Sequence, residues 1–240
     1  MQTLTRDDDG FTIIELMVAM VIAVVVLSGI YAAYRKQVGS YVRQEQVVEM
    51  QQNIRNAMYY MQRSMRMSGF DPQNTGLMGF VANFDAPYDT LGASTDASRI
   101  AFALDSDEDG VRDANELELV AYRLNGDQLQ KLTFDEGAPP AANWETVADN
   151  VDALDFVYLD DNNPPNILAP PLNAAALGQI RSVQITLVAR AGETPSPLVN
   201  PTTDNTVYRN QQGAVIFNGG GDNFRRLSLT AQVNCRNVGL

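Results

Sequence analysis

The chain has 240 residues, of which 45% are hydrophobic and 19% are charged, a composition typical of a globular protein rather than a disordered one. Its net charge of −12 argues against direct binding to nucleic acid, because phosphate recognition requires clustered Lys and Arg. The chain contains no histidine and a single cysteine, Cys235, which excludes an intrachain disulfide, histidine-based zinc sites and nucleophile–histidine catalytic pairs.

A long apolar run follows a short polar leader at the N-terminus. Between Phe11 and Ile30 the only charged residue is Glu15. A helix of about 20 residues, at about 1.5 Å each, spans roughly 30 Å, which is the thickness of the hydrocarbon core of a bilayer. We therefore predict that residues 11–31 form a transmembrane helix. A secretory signal peptide is the competing interpretation, but its apolar core is shorter, about 7–15 residues, and ends at a small-residue cleavage site.

The junction of leader and helix, Gly10-Phe11-Thr12-Ile13-Ile14-Glu15, resembles the prepilin signal of type IV pilins and of type II secretion pseudopilins. The resemblance implies that residues 1–10 are a leader that prepilin peptidase removes after Gly10, and that the new N-terminal Phe11 is N-methylated. It also implies that Glu15 meets the N-terminus of a neighbouring subunit during assembly. A carboxylate in the apolar zone is costly unless it is paired, which favours this role over a plain membrane anchor whose Glu15 reaches the headgroups.

The resemblance also places the protein in the bacterial inner membrane, with its head outside the cytoplasm, before it enters a pilus at the cell surface. The leader departs from the family pattern, because Arg6 is followed by three aspartates, whereas prepilin leaders usually carry a net positive charge. Arg35 and Lys36 lie just past the span, so charge counting alone would place the globular part in the cytoplasm. The predicted orientation therefore depends on the resemblance.

The helix is predicted to continue through an amphipathic second half, residues 32–70. Apolar residues recur there at helical spacing and are expected to pack as a stripe against a sheet: Ile54, Ala57, Met58, Met61 and Met65. No proline follows before Pro72, and Gly69 is a helix stop signal. These features predict one helix of about 55 residues.

Residues 71–240 are predicted to form a β-rich globular head. Strands are expected at residues 98–104 and 117–124, and Asn125-Gly126 after the second strand predicts a hairpin. Apolar and polar residues alternate in three later segments, which predicts half-buried strands of an antiparallel sheet: 154–158, 183–188 and 227–233. A long helix packed on such a sheet gives an α+β, pilin-like fold.

Two segments of the head are rich in Pro, Asn and Gly and are expected to be long loops: 160–178 and 192–223. Three other segments resemble minor pilins of the PilW type, to which the J-type minor pseudopilins of type II secretion are close relatives: 53–57, 63–72 and 235–240. The middle of the head resembles this family mainly in layout. The resemblance implies that the protein assembles with other pilins through its N-terminal helix.

An acidic segment of the head fits the calcium-loop pattern D-x-[DN]-x-[DN]-G-x5-E. Calcium prefers hard oxygen ligands, which would come from the carboxylates of Asp105, Asp107, Asp109 and Glu116, the carbonyl of Val111, and Asp113 through a water molecule. The flanking residues have the pattern of strands rather than of the two helices of an EF-hand, so we expect a structural calcium site on a hairpin. The alternative is a solvated acidic turn, which Asp and Gly favour in any case.

Two classes of function follow from these features. As a structural subunit, the protein would be a minor pilin that supports or primes type IV pilus assembly, or, alternatively, a minor pseudopilin of a type II secretion system. As a membrane-anchored domain, it would use its acidic loops for calcium binding or catalysis, with Asp160-Asp161 or Asp152 and Asp155 as an acid–base pair. Adhesion through the 192–223 loop is a third possibility, which is compatible with the structural role. No residue spacing is diagnostic of such a pair, so we predict the structural role without enzymatic activity.

Overall fold

The computed structural model describes residues 10, 12–84, 93–112, 118–134, 142–192 and 203–239. The predictions made for residues 1–9, Phe11, Asp113 and Glu116 lie outside these described residues. The chain divides into two compact units, residues 1–44 and 45–240. One long helix and antiparallel sheets make up most of the described chain, which confirms the predicted α+β fold.

The first unit consists mainly of the beginning of helix α1, which runs from Ile13 to Arg66 and confirms the predicted helix length. From Ile13 to Tyr34 the apolar side chains of α1 are exposed. A stretch of 18 residues reaches a mean hydropathy of 2.7, so α1 is apolar and long enough to cross a membrane. Since exposed apolar surface is unfavourable in water, this part of α1 is a candidate membrane span.

The second unit contains the rest of α1, which contributes one face to the core of the head. This face packs in a single apolar cluster with residues of both larger sheets, such as Phe102 and Ile185. The predicted packing of the stripe against a sheet is thereby confirmed, and the stripe is one turn longer than predicted: Met50, Ile54, Ala57, Met58, Met61 and Met65 are all buried.

Helix α1 ends at Arg66, and the chain turns sharply at the predicted stop residue, Gly69. Gly69 has a φ of 74°, and its N–H donates a hydrogen bond to the carbonyl of Ala103 at 3.0 Å. A Cβ atom at this position would lie 2.9 Å from Cγ2 of Val238. Only glycine combines this backbone conformation with so close an approach of the C-terminal segment.

The first large sheet is antiparallel and has the strand order β1-β2-β3-β4-β5. Its strands are β1 (Gly79–Phe80), β2 (Arg99–Ala103), β3 (Leu119–Asn125), β4 (Gln128–Phe134) and β5 (Ala142–Ala148). The predicted hairpin joins β3 to β4, and Gly126, with a φ of 64°, provides the positive φ that so tight a turn requires.

The second large sheet is also antiparallel and has the order β11-β8-β6-β7. Its strands are β6 (Val151–Leu159), β7 (Ile167–Leu168), β8 (Ser182–Ala191) and β11 (Arg225–Asn234). The segments predicted as long loops also contain regular structure: β7 and α2 (Ala174–Gly178) in the first, and a separate pair, β9 (Val207–Arg209) and β10 (Val215–Asn218), in the second.

The prediction of a half-buried strand is wrong for β8, in which nearly every side chain is buried. One face of β8 packs in the apolar cluster that includes α1. The other face is covered by the β9–β10 segment, where Gln212 donates a hydrogen bond to Gln184 at 2.6 Å, and Asn210 donates one to Asp155 of the adjacent β6 at 2.9 Å. The alternation of apolar and polar residues along β8 cannot predict that its polar face is buried, because the segment that covers this face is distant in sequence.

A buried network of ion pairs links the β9–β10 segment to the sheet that it covers. Arg226 of β11, whose side chain is 2% exposed, binds three carboxylates: Asp152 at 2.6 Å, Asp204 at 3.0 Å and Asp222 at 2.6 Å. Although burial opposes its charge, hydrogen bonds to these carboxylates raise the pKa of Arg226 above its ordinary value. Arg190 of β8 binds Asp152 as well. Each charge of this network thus has an opposite charge beside it.

Replacing Met61 with alanine is expected to destabilise the head by about 2–5 kcal/mol, because this side chain is completely buried and its loss leaves a cavity. The neighbouring Tyr60 is 55% exposed, so Tyr60→Ala should change the free energy of unfolding by only about 0.5 kcal/mol. Urea unfolding of the full chain in detergent micelles, followed by Trp144 fluorescence, measures the free energy of unfolding of both variants. Equal losses of unfolding free energy in the two variants would contradict the placement of the stripe in the core.

Candidate functional site

The N-terminal site begins at the exposed Gly10, the residue after which the sequence predicts cleavage. Thr12 precedes the first residue of α1, and its hydroxyl and N–H both donate hydrogen bonds to Oε2 of Glu15, at 2.8 and 2.9 Å. The N–H of Glu15 in turn donates to the Thr12 hydroxyl at 3.3 Å. These reciprocal bonds form a capping box, in which Thr12 is the cap and the helix begins at Ile13, three residues after Gly10.

Sequence reasoning assigned Glu15 to assembly and overlooked its role as a helix cap. The T-x-x-E spacing of Thr12 and Glu15, directly before an apolar run, is the signature that could have revealed it. Only Oε2 takes part in the cap, and within the part of the chain that the structure describes no donor forms a hydrogen bond with Oε1. Glu15 can therefore cap its own helix and still accept a hydrogen bond from another chain.

The acidic loop, residues 105–112, connects β2 to β3, and its flanking strands pair antiparallel with Ala103 opposite Leu119. The acidic loop thus lies on a hairpin, as predicted, rather than between two helices. Asp105 is fully buried and accepts hydrogen bonds from the N–H groups of Asp109 and Gly110, at 3.2 and 3.1 Å. These bonds fold the loop back upon the Asp105 carboxylate.

The structure brings three of the predicted calcium ligands together. Carboxylate oxygens of Asp105, Asp107 and Asp109 lie within 4.8 Å of one another. The N–H of Val111 donates a hydrogen bond to Asp109 at 2.7 Å, so Val111 also belongs to this turn. The remaining predicted ligands, Asp113 and Glu116, lie outside the described residues.

A buried glutamate that the sequence did not single out also faces this loop. Glu118 is 1% exposed, and its Oε1 accepts a hydrogen bond from the N–H of Ser106 at 2.9 Å. The alternation of Glu and Leu places Glu118 on the strand face opposite Leu119, and this pattern alone does not indicate that Glu118 is buried. Glu118 therefore adds another carboxylate to the loop, beyond those of the motif.

The segment that follows α1 supports the acidic loop from one side. Gln73 donates a hydrogen bond to the carbonyl of Glu108 at 2.5 Å. A Cβ atom on Gly110, which has a φ of 76°, would lie 2.8 Å from Oε1 of Gln73. Asp71 accepts hydrogen bonds from Thr75 and from a further backbone N–H. These bonds lower the pKa of Asp71 below its ordinary value, and the bond from the Thr75 N–H contributes most.

Three of the four aspartates considered for an acid–base pair, Asp152, Asp155 and Asp160, have structural partners. Asp152 belongs to the ion-pair network around Arg226. Burial raises the pKa of Asp155, which accepts a hydrogen bond from Asn210. Asp160 accepts hydrogen bonds from two asparagines of its own turn; although burial acts in the opposite direction, these bonds lower its pKa to about 2. Such contacts are typical of turns and strand faces rather than of a proton-transfer site.

Comparison with known proteins extends these observations. Residues 43–217 match the family model described as prepilin peptidase-dependent protein B, and residues 5–31 match the prokaryotic N-terminal methylation motif. Among solved structures, the chain is similar to a type IV-like pilin from Thermus thermophilus at 14% sequence identity and a TM-score of 0.48, over 80% of this chain and 99% of that one. No curated protein matches the chain.

Proposed function

The chain belongs to the prepilin peptidase-dependent protein B family, and from that premise we propose that it is a minor pilin, a structural subunit without enzymatic activity that enters a type IV pilus and supports or primes its assembly. The observation that carries this proposal is the N-terminal methylation motif over residues 5–31, which coincides with the start of an exposed apolar helix. Prepilin peptidase would cut this chain after Gly10, and the new amino group at Phe11 would be methylated.

Before assembly, the protein would reside in the bacterial inner membrane with its head outside the cytoplasm. The apolar part of α1 supports this, because it is long enough to cross a bilayer and all of its apolar side chains are exposed. During assembly these side chains would exchange lipid for the helices of other pilins. The same contacts would serve a minor pseudopilin of a type II secretion system, which is the alternative within the superfamily.

Glu15 would direct this assembly. The amino group created by cleavage is a cation, and Oε1 of Glu15 accepts no hydrogen bond among the described residues. A carboxylate in an apolar environment is stabilised strongly by an opposite charge, so a neighbouring subunit would dock where its N-terminus reaches Glu15. The cap formed with Thr12 would hold the carboxylate in place for that contact.

Glu15→Ala is expected to leave the protein inserted in the membrane but to reduce its incorporation into pili at least tenfold, since the charge pair with the neighbouring N-terminus is lost. Immunoblots of membranes and of sheared pili measure both quantities. Glu49→Ala serves as the control, because Glu49 is an exposed carboxylate on the same helix beyond the apolar part. Normal incorporation of the Glu15→Ala protein would refute the assembly role of Glu15.

The acidic loop would hold a calcium ion with a structural role. Asp105, Asp107 and Asp109 already bring carboxylate oxygens within 4.8 Å of one another, and hard oxygen ligands of this kind suit calcium. The ion would relieve the repulsion among these charges and fix the connection between β2 and β3. This proposal is independent of the pilus, since a loop of this kind stabilises the head wherever the protein functions.

Calcium at roughly 10 mM is expected to stabilise the head by about 1.4–2.7 kcal/mol, given that extracellular sites of this kind bind with dissociation constants of about 10⁻⁴–10⁻³ M. Thermal melting of the full chain in micelles, with calcium or magnesium, tests this. Asp109→Asn keeps the acceptor for the Val111 N–H but removes a charge, so it should abolish the calcium effect. Asp161→Asn, in a separate exposed turn, should preserve it. A calcium effect of equal size in both variants would place the ion elsewhere.

A further inference from the structure

Strand β11 forms one edge of the second large sheet and is the longest edge strand among the described residues. Its ten residues pair with β8 from Arg225 to Asn234 without any register shift. The strand at the opposite edge, β7, has only two residues, as has β1 at one edge of the other large sheet. Within the described chain, no strand pairs with the second side of β11.

The pairing determines which backbone groups of β11 point away from β8. The N–H of Cys235 donates a hydrogen bond to the carbonyl of Arg181 at 2.8 Å, in the same register as the strand pairs. Hydrogen-bonded and non-hydrogen-bonded pairs alternate in an antiparallel ladder, so the odd-numbered residues of β11 bond to β8. The even-numbered residues therefore direct their N–H and C=O groups outward: Arg226, Ser228, Thr230, Gln232 and Asn234.

Between residues 227 and 235, this edge has none of the features that usually prevent a strand from pairing with another chain. Exposed edges are commonly protected by lysines, prolines, bulges or extreme shortness. Residues 227–235 contain no charged residue, no proline and no glycine. Gln211 donates a hydrogen bond to the carbonyl of the odd-numbered Ala231, and within the described chain no hydrogen bond reaches the backbone groups of the even-numbered residues 228–234.

The inner side of the edge offers an incomplete apolar surface. Leu227, Leu229 and Ala231 pack against the core but remain only partly buried. Beside the end of β11 lies a groove of about 670 Å³, which is lined on the other side by Met67 and Phe70. A strand added next to β11 would place alternate side chains over these residues and would complete their burial.

Arginine side chains lie at both ends of this edge. The head as a whole is acidic, with ten basic and twenty-three acidic residues from 71 to 240. Arg225 begins β11, and Arg236 lies two residues past its end, while Arg66 lines the groove near the same end. All three arginines are exposed, and none forms an ion pair with a described carboxylate. Their positions match negative charges at the two ends of an incoming segment.

We propose that the free edge of β11 is a docking site for an extended segment of a partner protein, which adds to the sheet as a further strand. The segment would have an apolar or β-branched centre that covers Leu227, Leu229 and Ala231, with acidic residues at its two ends that pair with the arginines. Its backbone would bond to the outward groups of the even-numbered residues. The site uses the head alone, so this proposal goes beyond the assembly role of the N-terminal helix.

Three labelled ten-residue peptides test the proposal against the full chain in detergent micelles, with binding measured by fluorescence anisotropy. The first has two glutamates at each end and alternating valines and threonines between them. The second carries lysines in place of the glutamates, and the third has a proline at the centre of the first sequence. We expect the glutamate peptide to bind at least tenfold more tightly than either of the others.

Variants of β11 separate backbone pairing from other contacts. Thr230→Pro removes one outward N–H at a position where an edge strand tolerates proline, whereas Thr230→Ala keeps it. The first change should weaken binding of the glutamate peptide at least tenfold, and the second should leave it unchanged. Reversing the charge at both exposed ends, Arg225→Glu with Arg236→Glu, should transfer the preference to the lysine peptide, and thermal melting verifies that each variant is folded.

Hydrogen exchange of single amides provides the most specific readout. Binding of the glutamate peptide should slow exchange at least tenfold at Ser228, Thr230 and Gln232, whose N–H groups point outward, while the amides of Leu229 and Ala231 are protected already in the free protein. Equal binding of the glutamate and lysine peptides, or bound peptide without slower exchange at the even-numbered amides, would overturn the proposal. These outcomes do not depend on leader cleavage or on pilus assembly.

Discussion

The packing of the second half of α1 against both large sheets is the interaction on which the head depends. Met58, Met61 and Met65 share one apolar cluster with residues of β2, β3, β6 and β8. Methionine adapts its shape to irregular gaps, which suits a helix that must fit two sheets at once. The covering β9–β10 segment adds a second layer on the far face of one sheet, where the buried Arg226 network fastens it. A pilin-like protein of this kind thus builds its core around its own helix.

Sequence patterns predicted the elements that depend on local periodicity. The spacing from Ile54 to Met65 gave the buried helix face, and Asn125-Gly126 located the β3–β4 hairpin. Sequence patterns failed where contacts between distant residues determine burial and pairing. Burial of β8 on both faces depends on residues more than twenty positions away, and the pairing of Arg226 with Asp152 joins residues 74 positions apart. Neither leaves a periodic signal in the chain.

The two candidate sites differ in how much the sequence could reveal. The Gly10 to Glu15 motif is continuous, so its residues could be named from the sequence, although the T-x-x-E cap was overlooked. In the acidic loop, the pattern identified Asp105, Asp107 and Asp109, whose carboxylates the structure brings together. The buried Glu118 was missed, because its orientation is set by the start of β3 rather than by any spacing in the motif.

The chain belongs to the prepilin peptidase-dependent protein B family and combines an N-terminal methylation motif, a capped apolar helix and a β-rich head. The central claim is that the mature protein begins at residue 11, because only cleavage after Gly10 creates the amino group that Glu15 would meet. Intact-mass and N-terminal analysis of the protein isolated from its native membrane tests this claim most directly. The expected result is a chain that begins with N-methylated Phe11. A chain that still begins with Met1 would contradict it.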